Sequence, residues 1–483
     1  MILPECFAHN TEQIMGKDLF GRFVRALDEE PPVSIRVNEK KGVGRPGNGE
    51  QVPWCASGYY LNSRPAFTFD PFLHAGCYYV QEASSMFVSR VLSQYVAAPV
   101  SMLDLCAAPG GKTTAALSVL PAGSVLVSNE PVRQRANILA ENVGKWGSPN
   151  VIVTNNYPAD FVSSGIVFDV ILCDVPCSGE GMFRKDDGAV GEWSAQNVEL
   201  CARLQREIVE CAWRCLRPGG LLIYSTCTFN TAENEENISW ICDELCADVL
   251  PVNVEKEWGI TASLLPGFNR QVCRFIPGVT RGEGLFMAAL RKPDDGGSHK
   301  SCLSSCSSAD GHSVSLPKKK KKAEQRQTNG RAESIRMPVE WIAGGSSDYM
   351  FFKRGDVIDA VPCGMVDIYK STLSELKILS AGVTVGRIKG RDIVPGAELA
   401  LSTALNRNAF PTVELDYPAA ISFLRRDAVS LPDDTPRGYV LVTYCGVALG
   451  FMKNIGNRAN NLYPQEWRIK SSHVPGKPQV IEK

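Results

Sequence analysis

Between residues 100 and 225, five short apolar runs alternate with segments of helical period. That alternation confines the middle of the chain to a largely parallel sheet covered on both faces. The runs lie at 101–105, 124–129, 151–155, 168–173 and 221–225, with helices predicted over 113–120, 131–146 and 197–216. Pro131 suits the first turn of its helix, and the run RPGG at 217–220 ends the third. A further helix over 232–246 carries several acids in its first turn, and runs at 272–276 and 285–291 read as a closing antiparallel pair. The prediction is an α/β, Rossmann-like domain over 96–292, a normal domain size.

At 483 residues the chain exceeds what one core serves, and roughly three domains are expected. Residues 1–95 mix helical material with the short strand of PPVSIRVN (31–38), a small α+β module. Residues 293–337 lose their apolar period and fill with Gly, Ser, Lys and Gln, including the lysine run 318–322, and read as a flexible linker. His299, Cys302, Cys306 and His312 have zinc-like spacing but no apolar residues to build a knuckle around them, so no metal is predicted. Residues 338–483 return to short strands broken by glycines and prolines, a mostly-β module.

The formal net charge is -1, so a nucleic-acid partner must be met by local basic patches. Two are candidates. In the first module Arg22, Arg25, Arg36, Lys40, Lys41, Arg45 and Arg64 are interleaved with Trp54, Tyr59, Tyr60, Tyr78 and Tyr79, either a base-stacking face or a solvated surface over an aromatic core. At the other end Lys453, Arg458, Arg468 and Lys470 gather near Tyr463 and Trp467. The 17 cysteines are scattered and odd in number, which points to a reducing compartment and not to a disulfide framework. With no signal-like N-terminus and no long uncharged apolar segment, the expectation is a cytoplasmic protein without a membrane partner, a monomer by preference.

Three features carry chemistry. The first is DLCAAPGGKTT (104–114), a glycine-rich turn from strand to helix suited to an anionic group. It falls short of a P-loop, because Cys106 stands where the first glycine is needed and Pro109 stiffens the run. The second is Glu130 at the next strand end, where a carboxylate accepts two ribose hydroxyls. Together they suggest S-adenosylmethionine. The third is a pair of strand ends, VILCDVPCSGEGMFRKDD (170–187) and LLIYSTCT (221–228), which bring Asp174, Cys177 and Cys227 to one crevice. Methylating carbon 5 of cytosine requires a thiolate to add first at carbon 6, with an acid such as Asp174 at the ring nitrogen. A second thiol suits removal of the carbon-5 proton. Spacing leaves the order of the two cysteines open. Cys173, Cys211 and Cys215 are expected only to pack.

These stretches, with SNEP (128–131), YYVQEASSM (78–86), YSTCTFNTAENEENI (224–238) and NNLYPQEWRI (460–469), closely resemble the Nop/Sun family of S-adenosylmethionine-dependent RNA 5-methylcytosine methyltransferases. The likeness is to its bacterial ribosomal-RNA branch, whose last domain is PUA-like and binds RNA. The resemblance implies that Cys227 is the nucleophile and that Cys177 assists release of the methylated base. It further implies that Cys106, Ala107, Ala108, Pro109, Gly110, Gly111, Lys112, Glu130 and Asp174 line the cofactor, with Asp174 also reaching the cytosine. The implied partner is RNA, ribosomal first and transfer RNA as the alternative. One departure is TNNYPAD (154–160), where Tyr157 stands in place of the family's adenine-binding aspartate and Asn155, Asn156 or Asp160 must substitute. The rival reading is an inactive RNA-binding assembly factor, against which both thiols and the loop glycines speak. An amine methyltransferase would need an aromatic clamp where this chain has DVPC.

Overall fold

The computed structural model describes residues 1–294, 336–471, 476, 478, 480 and 481. The expected linker, its lysine run and the His299, Cys302, Cys306 and His312 set lie almost wholly outside the described residues.

The middle of the chain folds in the order β1 (Ser101–Asp104), α1 (Gly111–Val119), β2 (Val125–Asn129), α2 (Arg133–Trp146), β3 (Val151–Thr154), α3 (Pro158–Ser164) and β4 (Phe168–Asp174). There follow α4 (Ala195–Cys215), β5 (Leu216–Thr226), α5 (Glu235–Glu244), β6 (Asp248–Leu250), β7 (Cys273–Phe275) and β8 (Leu285–Arg291). The strands β3, β2, β1, β4 and β5 are parallel neighbours in that order. They are apolar throughout because both faces are covered: every residue of β2 and β3 is buried. After β5 the sheet turns antiparallel through β8, which pairs with both β6 and β7. The chain runs outward from β1 to β3 and then returns to β4, so the order reverses between β1 and β4. A crevice opens there at the strands' carboxyl ends, where Glu130, Asp104, Asp174 and Cys227 follow one another across the sheet.

The C-terminal region is less simple than one β module. Strand β9 (Ile378–Ala381) pairs antiparallel with β3 and extends the central sheet. The rest forms two four-stranded sheets, one built from Tyr349–Arg354, Val357–Pro362, Val383–Lys389 and Asp392–Pro395. The other contains Thr412–Leu415, Gly438–Tyr444, Val447–Asn454 and Ala459–Asn461.

The two ends of the chain share a core. Ile35, Tyr59, Phe72 and Tyr78 pack in one apolar cluster with Leu401, Phe423, Tyr444, Tyr463 and Trp467, and the Tyr463 hydroxyl lies 3.3 Å from His74 Nδ1. This decides between the two readings of the N-terminal aromatics. Trp54, Tyr59, Tyr60 and Tyr78 are buried core residues and not a base-stacking face; the same holds for Tyr463 and Trp467. Arg36 is also removed from any RNA surface. Fully buried, it donates to Gln81 Oε1 at 2.8 Å, Ser118 Oγ at 2.9 Å and Thr114 Oγ1 at 2.5 Å, and stacks on Trp146. It fastens the N-terminal sheet, built from Val33–Val37, Glu50–Gln51, Gly58–Leu61 and Tyr78–Val80, to α1 and α2. Arg22, Arg25, Lys40, Arg45 and Arg64 remain exposed.

Candidate active site

The floor of the crevice is the turn from β1 into α1. Gly110 caps the helix at φ +109°, a backbone conformation that side chains rarely adopt, and no side chain caps the first amides of α1. Asp104 is wholly buried beneath. Its Oδ2 accepts from Thr113 Oγ1 at 2.6 Å, while Oδ1 has no hydrogen-bond partner among the described residues. Burial above all, with Asp174 and Glu130 nearby, pushes its pKa up to about 7 despite the Thr113 bond. Cys106 packs in the core cluster of the sheet, and burial above all, with Asp104, Glu130 and Asp174 nearby, raises its thiol pKa.

Glu130 ends β2, buried, with Oε1 accepting the Val132 N–H at 3.0 Å. Arg135, one turn into α2, lies 3.7 Å from Glu130 Oε2 and donates to the Ala108 carbonyl at 3.1 Å. Beside it, Asn155 and Asn156 are held by a residue from the C-terminal half. Lys377 donates through Nζ to Asn155 Oδ1 at 3.0 Å and through its N–H to Asn156 Oδ1 at 3.0 Å. Both amide oxygens are thus engaged, and Asp160 caps α3 by accepting the Tyr157 N–H at 2.8 Å. Tyr157 itself is exposed.

At the far side Asp174 ends β4. Lys112 Nζ lies 2.8 Å from its Oδ2, and Ser225 of β5 donates to Oδ1 at 3.0 Å. Burial disfavours the Lys112 ammonium, yet Asp174, Cys227 and Asp104 together outweigh it and its pKa is raised. The ammonium therefore stays charged beside the thiols. Cys177 Sγ and Cys227 Sγ are 3.1 Å apart, both free thiols at the crevice edge. The hydrogen bond with Cys227, then burial, raises the Cys177 thiol well above its usual range.

These residues fit S-adenosylmethionine. The helix amides suit a carboxylate, the orphaned Asp104 Oδ1 suits an ammonium, and Glu130 suits ribose hydroxyls. Cys173 and Cys215, expected only to pack, are buried in the sheet core.

Sequence reasoning missed Ser225, Arg135, Lys377, Glu180 and Glu233. Local pattern assigns the acids of 232–246 to a helix dipole. Instead α5 begins at Glu235, and Glu233 and Glu235 are buried with named partners: Glu233 binds Gln205 and Ser178, and Glu235 forms a two-pronged ion pair with Arg274. The signal was present in AENEEN, since so dense a run of acids and amides exceeds what one helix start needs.

Among the described residues no helix is long and apolar enough to cross a membrane, and no group of metal-ligating side chains assembles. Comparison with known proteins places three family models along the chain. "16S rRNA methyltransferase RsmB/F" matches residues 97–291, "N-terminal domain of 16S rRNA methyltransferase RsmF" matches 3–83, and "Methyltransferase RsmF PUA domain" matches 410–469. The ribosomal RNA small subunit methyltransferase F of Escherichia coli O139:H28 is 30% identical, over 96% of each chain. A solved methyltransferase homologue from Pyrococcus horikoshii is 28% identical at a TM-score of 0.51, covering 60% of this chain and 95% of its own. NSun6 from the same organism, solved with SFG, has a TM-score of 0.50 over 60% of this chain and 99% of its own, and at 20% identity speaks for the fold alone.

Proposed function

Because this chain belongs to the RsmB/F family of 16S rRNA methyltransferases, an S-adenosylmethionine-dependent family, we propose that it methylates carbon 5 of a cytosine in ribosomal RNA through a covalent adduct on Cys227. The observation that carries the reading is the pair of free thiols 3.1 Å apart at the strand ends that also hold the Lys112–Asp174 ion pair.

S-adenosylmethionine, when bound, supplies an electrophilic methyl group. Residues 106–112, Glu130 and Asp174 would hold it, with Asp104 beneath. Cys227 gives up its thiol proton and its Sγ forms a bond to cytosine carbon 6, with the Lys112 ammonium nearby. The electron pair of the 5,6 double bond moves toward carbon 5, and the ring nitrogen takes up the proton that left Cys227, its new N–H donating a hydrogen bond to the Asp174 carboxylate. Lys112 and Ser225 hold that carboxyl in place. After methyl transfer, Cys177 takes the proton from carbon 5, the double bond re-forms, and the carbon–sulfur bond to Cys227 breaks.

The raised pKa of Cys177 supports this order. Its largest cause is the neighbouring Cys227 sulfur, and that cause vanishes once Cys227 is tied up as a thioether. Cys177 is thus a thiol before attack; once Cys227 is a thioether, Cys177 gives its proton to water and the resulting thiolate accepts the proton from carbon 5. The test is incorporation of labelled methyl into ribosomal RNA by the purified protein, with nuclease digestion to identify 5-methylcytidine. Label recovered in another nucleoside would overturn the reading.

A further inference from the structure

We propose that Glu180 and Glu233 are positioning residues that hold the two thiols in register by a crossed clamp, each carboxylate standing on one cysteine's loop and gripping the backbone of the other. Glu180 lies three residues after Cys177 on the same loop. Its Oε2 accepts the N–H groups of Phe229 at 2.6 Å and Asn230 at 3.0 Å, just beyond Cys227, together with the Thr228 hydroxyl. Its Oε1 accepts from Trp193 Nε1 and Asn230 Nδ2, both at 3.0 Å. Glu233 lies beyond Cys227, and its Oε2 accepts the Ser178 N–H, next to Cys177, at 3.0 Å. Glu233 also receives the Ser178 hydroxyl, Asn230 Nδ2 at 2.8 Å and Gln205 Nε2 at 2.7 Å.

The crossing is closed in two more places, and one side of it is braced by Arg274. The Ser178 and Thr228 hydroxyls, each bonded to one of the carboxylates, are 3.1 Å apart. The Gly181 N–H donates to the Cys227 carbonyl at 2.7 Å, where any Cβ would lie 2.5 Å from that oxygen. Arg274, paired with Glu235, donates to the Phe229 carbonyl at 2.7 Å. Both clamp carboxylates are buried, at 1% and 0% exposure, and neither touches Asp174, Lys112 or the glycine loop. Two carboxylates kept buried this close together cost stability, so their arrangement points to loop geometry as what they secure.

The inference rests on the reading of Cys177 and Cys227 as working thiols for its kinetic arm only. Every neighbour of Glu180 is a donor, so Glu180→Gln turns an amide NH₂ against donors and loosens the loop without removing volume; Glu233→Gln does the same from the other side. The readout is the rate at which diamide joins Cys177 to Cys227 as a disulfide, followed by mass spectrometry of the linked peptides. The two thiols lose two electrons and two protons, and the diazene is reduced to the hydrazine. We expect each variant to crosslink at least about tenfold more slowly, and kcat to fall by about 10- to 100-fold, the scale of an ångström-sized misplacement. KM for RNA and affinity for S-adenosylmethionine should stay at wild-type values. Should Glu180→Gln fail to fold, Glu180→Asp keeps the charge but shortens its reach and serves the same test. Wild-type crosslinking rates in both variants would overturn the clamp, as would a loss of cofactor affinity matching the loss of kcat. Failure of the methylation reading itself would instead appear as crosslinking that slows while cysteine substitutions leave activity intact.

Discussion

Cys177 and Cys227 face each other across the crevice with their sulfurs 3.1 Å apart, although 50 residues separate them in the chain. Two thiols this close cannot both be thiolates, so one must act before the other. Cys227→Ala should therefore abolish both methylation and the covalent RNA adduct. Cys177→Ala should accumulate the adduct, because release stalls after the methyl has moved. Denaturing gels of each variant with RNA decide it, and the opposite pattern would exchange the two roles.

Glu130 is buried with one oxygen spent on Val132, leaving Oε2 toward Arg135 and the crevice. Glu130→Ala should weaken S-adenosylmethionine binding by roughly 1.5–3 kcal/mol, about one to two decades, while RNA binding barely changes. Calorimetric titration of the cofactor with unaltered affinity would remove Glu130 from the ribose site.

Asp104, with its pKa pushed up to about 7 from 3.8, makes both stability and cofactor binding depend on pH, with opposite sign. The folded protein binds more protons than the unfolded one between those values, so the ligand-free protein loses stability as pH rises through that window. A cationic group at Oδ1 needs the carboxylate, so cofactor affinity should rise about tenfold from pH 6 to pH 8. Asp104→Asn should flatten both curves in paired melting and titration series.

His74 joins the two ends of the chain, and burial above all lowers its pKa to about 4. Here the unfolded chain binds the extra proton, so stability is lost as pH falls from about 6.5 toward 4, by up to about 3 kcal/mol. The melting temperature of His74→Gln should fall less over that range than the wild type does. Equal slopes would mean that the interface accepts a charged imidazole.

Counterion release gives the basic C-terminal residues a separate signature. Lys453 is already paired with Asp392 at 3.0 Å, but Arg458, Arg468 and Lys470 are exposed. Replacing those three with alanine should make the dependence of RNA affinity on salt shallower, by about one unit for each phosphate that the protein ceases to neutralise. Cutting the chain after residue 292 would be a poor test, because it strips the partner from Ile35, Tyr59 and Tyr78.

The five parallel strands, the glycine turn and the strand-end acids and thiols were all readable in sequence. Strands covered on both faces must be apolar without interruption, and a crevice at their carboxyl ends puts Asp104, Glu130, Asp174, Cys177 and Cys227 within a few residues of those runs. Local pattern stops at interactions between distant segments. Arg36 reads like any surface arginine, and only folding carries Gln81, Thr114 and Ser118 around it. Tyr463 and Trp467 look like a stacking surface until the N-terminal sheet closes over them. Lys377 is one lysine among many, yet β9 brings it 222 residues back to Asn155. Glu180 and Glu233 carry the same lesson inside the site. A carboxylate's role is set by which donors surround it, and donors on another loop become neighbours only when the whole sheet has assembled.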